Sequence, residues 1–176
     1  MPLVAALYCA LADRPAPAVL AAMFCGWVGD FFMIYKHKDA FLAAGMAAFG
    51  VGHILYVAHI GVIAAAAEPR LFTALAATLV PGAVAIVIFA VLRRRIPKQL
   101  RLPGLLYGLL LASLGSAAFI ALRAGAPGGA YLLAGGCLFL CSDGILSFET
   151  FRDGDSNAAD VAVMLTYIAA QTLLAI

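Results

Sequence analysis

Charge is what this sequence has least of. Only 11% of its 176 residues are Asp, Glu, Lys or Arg, where a soluble domain carries roughly a quarter. With 65% hydrophobic residues and a mean hydropathy of +1.06, that deficit excludes an ordinary water-soluble globule and points to an integral membrane protein. The net charge is +2, and no basic run is interleaved with aromatics on a soluble face, so no nucleic-acid partner is expected. The four cysteines, Cys9, Cys25, Cys137 and Cys141, sit in apolar runs and form no Cys-x-x-Cys; they read as small core packers. There is no His-x-x-x-His and no Cys/His cluster, so neither a metal nor another cofactor is expected. A Gly-x-Ser-x-Gly elbow, a phosphate loop and a dinucleotide fingerprint are also missing. Met1 and Pro2 offer no positive n-region, so no signal peptide is expected.

What is present is a series of apolar runs about 20 residues long, without period-two alternation. They read as membrane-spanning helices rather than barrel strands. The expected architecture is an all-α transmembrane bundle of about seven segments, one domain over residues 1–176. The expected helices cover residues 3–12, 16–35, 40–67, 71–92, 102–122, 128–148 and 158–176. The first is too short to span a bilayer unaided, and Pro15 and Pro17 separate it from the second. Pro81 and Gly82 fall inside the fourth run and predict a kink. Gly26, Gly29, Gly104, Gly108, Gly115, Gly135 and Gly136 are expected to let helices approach closely.

If every run crosses, one side collects Lys36, Lys38, Arg93, Arg94, Arg95, Lys98, Arg101 and Arg152, and the other only Arg14, Arg70 and Arg123. The positive-inside rule then puts the loops at 36–38 and 93–101 in the cytoplasm. The inner (cell) membrane of a bacterium is the expected location.

The residues that do not suit lipid stand out against this background. Asp143 ends the run Gly136-Cys137-Leu138-Phe139-Leu140-Cys141-Ser142, and Asp30 ends Gly26-Trp27-Val28-Gly29. A carboxylate at mid-span costs about 2.5–3.5 kcal/mol on insertion scales, so such residues turn inward toward a partner, an ion or a substrate. By depth, Asp30, Asp143, Tyr107 and Tyr167 all fall in the half nearer the basic loops, and His53 near the midplane. Tyr56 is i+3 from His53, Ser147 i+4 from Asp143, and Gln171 i+4 from Tyr167, so each pair shares a face. These positions point to one polar site shared by the two aspartates. His53 is left open between a site role and a hydrogen bond across helices. His37, in a charged turn, reads as solvated, and His59 lies about 120° around the helix from His53. Ser142 has no evident base beside it, so it is not read as a nucleophile.

The ordered set Gly29-Asp30, Phe41, Phe49-x-x-Gly52-His53-x-x-Tyr56, Tyr107, Phe139-x-x-Ser142-Asp143 and Thr166-Tyr167-x-x-Ala170-Gln171 resembles the YhhN-like lysoplasmalogenase family of multi-spanning membrane proteins. The resemblance runs from about residue 20 to the end. It implies an eight-helix bundle that hydrolyses the vinyl ether bond of lysoplasmalogens. The products would be a fatty aldehyde and glycerophosphocholine or glycerophosphoethanolamine. Asp30 and Asp143 would be catalytic, and His53, Tyr56, Tyr107, Ser142, Tyr167 and Gln171 would contact substrate. The chain departs from the family pattern in lacking a full first helix and in carrying Tyr167-Ile168 where the family has paired tyrosines.

The chemistry suits the residues. Protonation of the β-carbon of a vinyl ether gives an oxocarbenium ion, which water captures as a hemiacetal that collapses to the aldehyde. The site needs a proton donor, a negative charge near the cation and a base for the water. Two carboxyls close together in an apolar site do not both stay ionised, so they can divide these roles, as they do for the related cation in glycoside hydrolysis. Asp143 is the expected acid and Asp30 the stabilising base. The expected partners are a lysophospholipid substrate and membrane lipid. The competing classes are a proton-coupled transporter of a small molecule or lipid using the same aspartates, and a metal-dependent membrane lipid hydrolase.

Overall fold

The structure, a computed structural model, describes residues 2–65, 71–151 and 156–176. The described residues form seven α-helices and no strand: α1 (Pro2–Leu11), α2 (Pro17–Met33), α3 (Asp39–Ala65), α4 (Leu71–Leu92), α5 (Arg101–Arg123), α6 (Gly129–Thr150) and α7 (Asn157–Ala175), with a single 3-10 turn at Lys98–Leu100. The five from α3 to α7 are long and apolar enough to cross a membrane. At 10 and 17 residues, α1 and α2 are shorter, α1 reaching only about 15 Å. The chain is an integral membrane protein.

Local chemistry sets the helix ends. Pro17 opens α2 at a position where a missing N–H costs nothing. Ser156 caps α7, its Oγ accepting from the N–H of Ala159. Between α5 and α6 the chain reverses through Gly125 and Gly128, with φ of +74° and +71°, a left-handed conformation that a side chain disfavours. The helix α4 runs through Pro81. The second helix stops at Met33, two residues short of its expected end, because residues 34–38 fold into successive turns. Arg70 and Arg152, counted in the topology, lie outside the described residues.

The helices α2, α3, α5, α6 and α7 pack in succession, and α7 returns to α1 and α2. The main core fills this ring, with Met23, Tyr56, Leu114, Phe139 and Tyr167 all buried. Glycines allow the close crossings. A Cβ at Gly52 would lie 3.1 Å from the carbonyl oxygen of Ala22 on α2. One at Gly135 would lie 3.1 Å from the carbonyl oxygen of Ala170 on α7. Gly104 and Gly108 do not fit the expectation of close packing: nothing lies within 4 Å of a Cβ at Gly108, and only the Met46 methyl, at 4.0 Å, meets one at Gly104.

The helix α4 packs along α5. Its last turn joins a second, smaller core of Leu42, Leu92, Ile96 and Leu100. The same end of the bundle carries the 34–38 and 93–100 loops. Gln99 of the second loop donates to Asp39 at the start of α3, and Lys36 of the first reaches α6 and α7, 3.7 Å from Glu149 and 3.6 Å from Asp160.

Candidate active site

Asp143 projects from the C-terminal half of α6 and is buried. Its Oδ2 accepts a hydrogen bond from the hydroxyl of Tyr107 on α5. A carboxyl held this way by a neighbouring helix is partnered without being neutralised by a cation. Both residues lie on the wall of an apolar cavity of about 450 Å³, bounded by α3, α4, α5 and α6, a size typical of small-molecule and lipid sites. Phe49, Leu111 and Leu140 line it together with the polar pair, and Pro81 and Ala85 line it from α4.

From Tyr107 an aromatic chain leads into the ring. Its edge-on neighbour is His53, 5.5 Å away between centroids, followed by Phe139 at 4.6 Å from His53 and Tyr167 at 5.5 Å from Phe139. Phe49 closes on Tyr167 from the other side at 5.9 Å. His53 is almost wholly buried, and its Nδ1 stands 2.7 Å from the carbonyl oxygen of Phe49. A carbonyl can only accept, so Nδ1 carries the hydrogen, and in the neutral ring Nε2 is a lone-pair acceptor. That Nε2 has no hydrogen-bond partner among the described residues.

Beyond Phe139, the hydroxyl of Tyr56 on α3 donates to Oε1 of Gln171 on α7. The Tyr167 hydroxyl is buried and makes no hydrogen bond of acceptable geometry among the described residues, although Asp30 and Gln171 stand beside it. Gly26 is what lets this hydroxyl approach α2: a Cβ there would sit 2.5 Å from it.

The two aspartates therefore occupy different places. Asp143 lines the apolar cavity, while half-buried Asp30 lies off it, at the Tyr167 end of the aromatic chain. They remain within electrostatic reach of one another. His53, Tyr56, Tyr107, Tyr167 and Gln171 all belong to this continuous group. Ser142 turns away from it, its hydroxyl donating to the carbonyl of Val163 at 3.0 Å, a tie between α6 and α7. No group of three or more His, Cys, Asp or Glu side chains able to hold a metal is present among the described residues.

Sequence reasoning quoted Phe49 only as part of a motif and gave it no role, although its carbonyl holds His53 and its ring packs on Tyr167; it overlooked Glu149. Glu149 is a buried acid in the last turn of α6, held by Lys36 and by the N–H of Ser156 at 3.3 Å. Its signal was readable: a carboxylate at a helix C-terminus opposes the helix dipole and calls for a cation.

Comparison with known proteins adds to this geometry. The model of the YhhN family matches residues 1–176. Human lysoplasmalogenase TMEM86B is similar, at 32% identity over 153 residues, which is 87% of this chain and 59% of that protein. The chain thus spans about three fifths of the length of this relative. No solved structure matches.

Proposed function

The chain belongs to the YhhN family, and from that premise we propose that it is a membrane hydrolase, cleaving the vinyl ether bond of lysoplasmalogens by acid–base chemistry with two intramembrane aspartates. Its similarity to a protein named lysoplasmalogenase supports the substrate class. The observation that carries the chemistry is Asp143, a buried carboxyl hydrogen-bonded by Tyr107 on the wall of an apolar cavity.

In this reading the single alkenyl chain lies in the cavity with its enol ether carbons against Asp143. The protonated carboxyl gives its proton to the β-carbon, and the carbon–carbon double bond supplies the electron pair. The resulting oxocarbenium ion is stabilised by the carboxylates. A water beside the cation, within reach of His53 Nε2, adds to the cationic carbon, and its proton is passed on to Asp30 at the Tyr167 end of the aromatic chain. His53 Nε2, an acceptor, and the Tyr167 hydroxyl, a donor, are the groups suited to hold that water. Gln171, fixed by Tyr56, orients the Tyr167 end. The hemiacetal then breaks its bond to the glycerol oxygen, which leaves with a proton, and the fatty aldehyde forms. Microscopic reversibility lets the carboxyl that donated the first proton take part in this collapse. We assign the whole chain to one working bundle, with the basic loops on the cytoplasmic side of a bacterial cell membrane.

The test is aldehyde release from a lysoplasmalogen by purified protein, compared with Asp30→Asn, Asp143→Asn and a chelator control. Release that survives the chelator and is lost in both variants supports the dyad. Loss with chelator alone moves the assignment to a metal-dependent hydrolase. No release from folded protein that still binds the lipid moves it to transport.

A further inference from the structure

The wall of the cavity beside Asp143 contains two helix glycines with no packing reason to be there. Glycine weakens a helix relative to alanine, and several helix glycines here are explained by a neighbour that a Cβ would strike, at 2.5 Å for Gly26, 2.8 Å for Gly29 and 2.9 Å for Gly115. Gly108 and Gly144 differ. Both line the cavity, and nothing lies within 4 Å of a Cβ built on either. Each directly follows a member of the hydrogen-bonded pair, Tyr107 and Asp143. Gly61 and Gly82 are also open but do not line the cavity, and Gly104, which does line it, meets the Met46 methyl at 4.0 Å and does not adjoin the hydrogen-bonded pair.

The cavity also has a direction. At its basic-loop end it is shut by Leu42, Leu92 and Ile96, all buried. Its exposed lining residues are Val80 and Val84 of α4 and Cys141 of α6. The two valines lie roughly 12–18 Å along α4 from Leu92 at 1.5 Å per residue, well inside a hydrocarbon core of about 30 Å. The helix α4 packs along α5 and makes no extended contact with α6, so the mouth faces lipid between these two helices. The wall from Val80 to Leu92 is roughly 18 Å long, close to the half-thickness of that core, about 15 Å. That length matches one hydrocarbon chain of one leaflet.

We infer that the hydrocarbon chain of a single-chain lipid reaches Asp143 sideways from the bilayer, through the mouth between α4 and α6, and that Gly108 and Gly144 are the specificity-determining residues that keep the passage wide enough for it. The inference rests on the hydrolase reading for its reaction, but the passage itself is tested by binding.

The experiment uses the full chain in nanodiscs, with Gly108→Leu, Gly144→Leu, the milder Gly108→Ala and Gly144→Ala, and Gly61→Leu as a control. Thermal midpoints check folding. KM and kcat for aldehyde release are measured over lysoplasmalogens of increasing chain length, and binding is measured with a saturated hexadecyl ether lysophosphocholine. The two leucine variants raise KM for long chains, and weaken analogue binding, by about tenfold or more, the discrimination that a methylene group commands in an apolar pocket. They also shift preference toward shorter chains, while Gly61→Leu changes neither. Should a leucine variant fail to fold, its alanine counterpart, which meets no atom, shows the same shift in smaller degree. Folded variants with unchanged KM, chain preference and analogue binding overturn the inference. If the unsubstituted protein releases no aldehyde, the hydrolase reading falls. The passage then stands if the analogue binds and the substitutions weaken it, and falls if the analogue does not bind or binds all variants alike.

Discussion

Replacing Asp143 by asparagine removes the transferable proton, and with it the ability to become charged, while keeping the side chain's shape. Asparagine still offers an oxygen to the Tyr107 hydroxyl, and it no longer burdens the membrane with a buried carboxyl, whose insertion costs about 2.5–3.5 kcal/mol. Asp143→Asn is therefore expected to fold at least as well as the parent chain. Its aldehyde-release rate falls by about 10²–10⁴-fold, the range for loss of a positioned general acid. Tyr107→Phe removes the hydrogen bond that Asp143 accepts from the Tyr107 hydroxyl. A hydrogen bond to a charged group is worth about 1.5–3 kcal/mol, and at about 1.4 kcal/mol per decade the rate falls about ten- to 150-fold. Because the hydroxyl acts through the carboxyl, the second substitution adds little once the first is made. The assay is steady-state aldehyde release by the four members of this double-mutant cycle, at matched folded concentration. A tenth or more of the activity surviving in Asp143→Asn would refute the acid assignment. Full additivity of the two substitutions would refute the claim that Tyr107 works through Asp143.

Stability measurements test the rest of the arrangement. Gln171→Leu leaves the buried Tyr56 hydroxyl without its acceptor, and Tyr56→Phe leaves Gln171 Oε1 without its donor; each lowers stability by about 1–3 kcal/mol, read as a fall in apparent thermal midpoint in one detergent. Lys36→Met strips Glu149 of its cation, and chemical denaturation of this variant is expected at lower denaturant than for Glu149→Gln, since an unpaired buried charge costs more than a neutral amide. Gly135→Ala drives a methyl to 2.9 Å from Leu174 Cγ and 3.1 Å from the α7 backbone, costing about 1–3 kcal/mol. The reverse holds for Gly144→Ala, whose thermal midpoint is expected to hold or rise.

Much of this was readable before any coordinates. The helices from α3 to α7 follow from long apolar runs and the scarcity of charge, and Asp143 and Tyr107 stood out as polar residues at similar depth on different helices. Pairings were not readable. Tyr56 finds Gln171 across 115 positions of sequence, and only the packing of α3, α6 and α7 decides that it does. Depth placed Asp30 and Asp143 together, but depth carries no information about rotation around the ring, and rotation puts Asp30 beside Tyr167 and off the cavity wall. Gly104 and Gly108 read like the packed glycines because a glycine in an apolar run looks the same whether a helix or a void lies against it. Ser142 shares its segment with Asp143, yet one step of about 100° along a helix turned its hydroxyl to α7.

Helix length has a consequence for the surrounding lipid. Neighbouring α2 and α3 have 17 and 27 residues, or roughly 26 Å and 40 Å of axis, against a core of about 30 Å. The bilayer thus meets a wall of uneven height on this side of the protein. A span longer than the core is accommodated by tilt and a shorter one by local thinning, at fractions of a kcal/mol per ångström. The thickness of the host membrane is therefore one of the forces on this bundle, and the same chain is under different strain in short-chain and long-chain lipid.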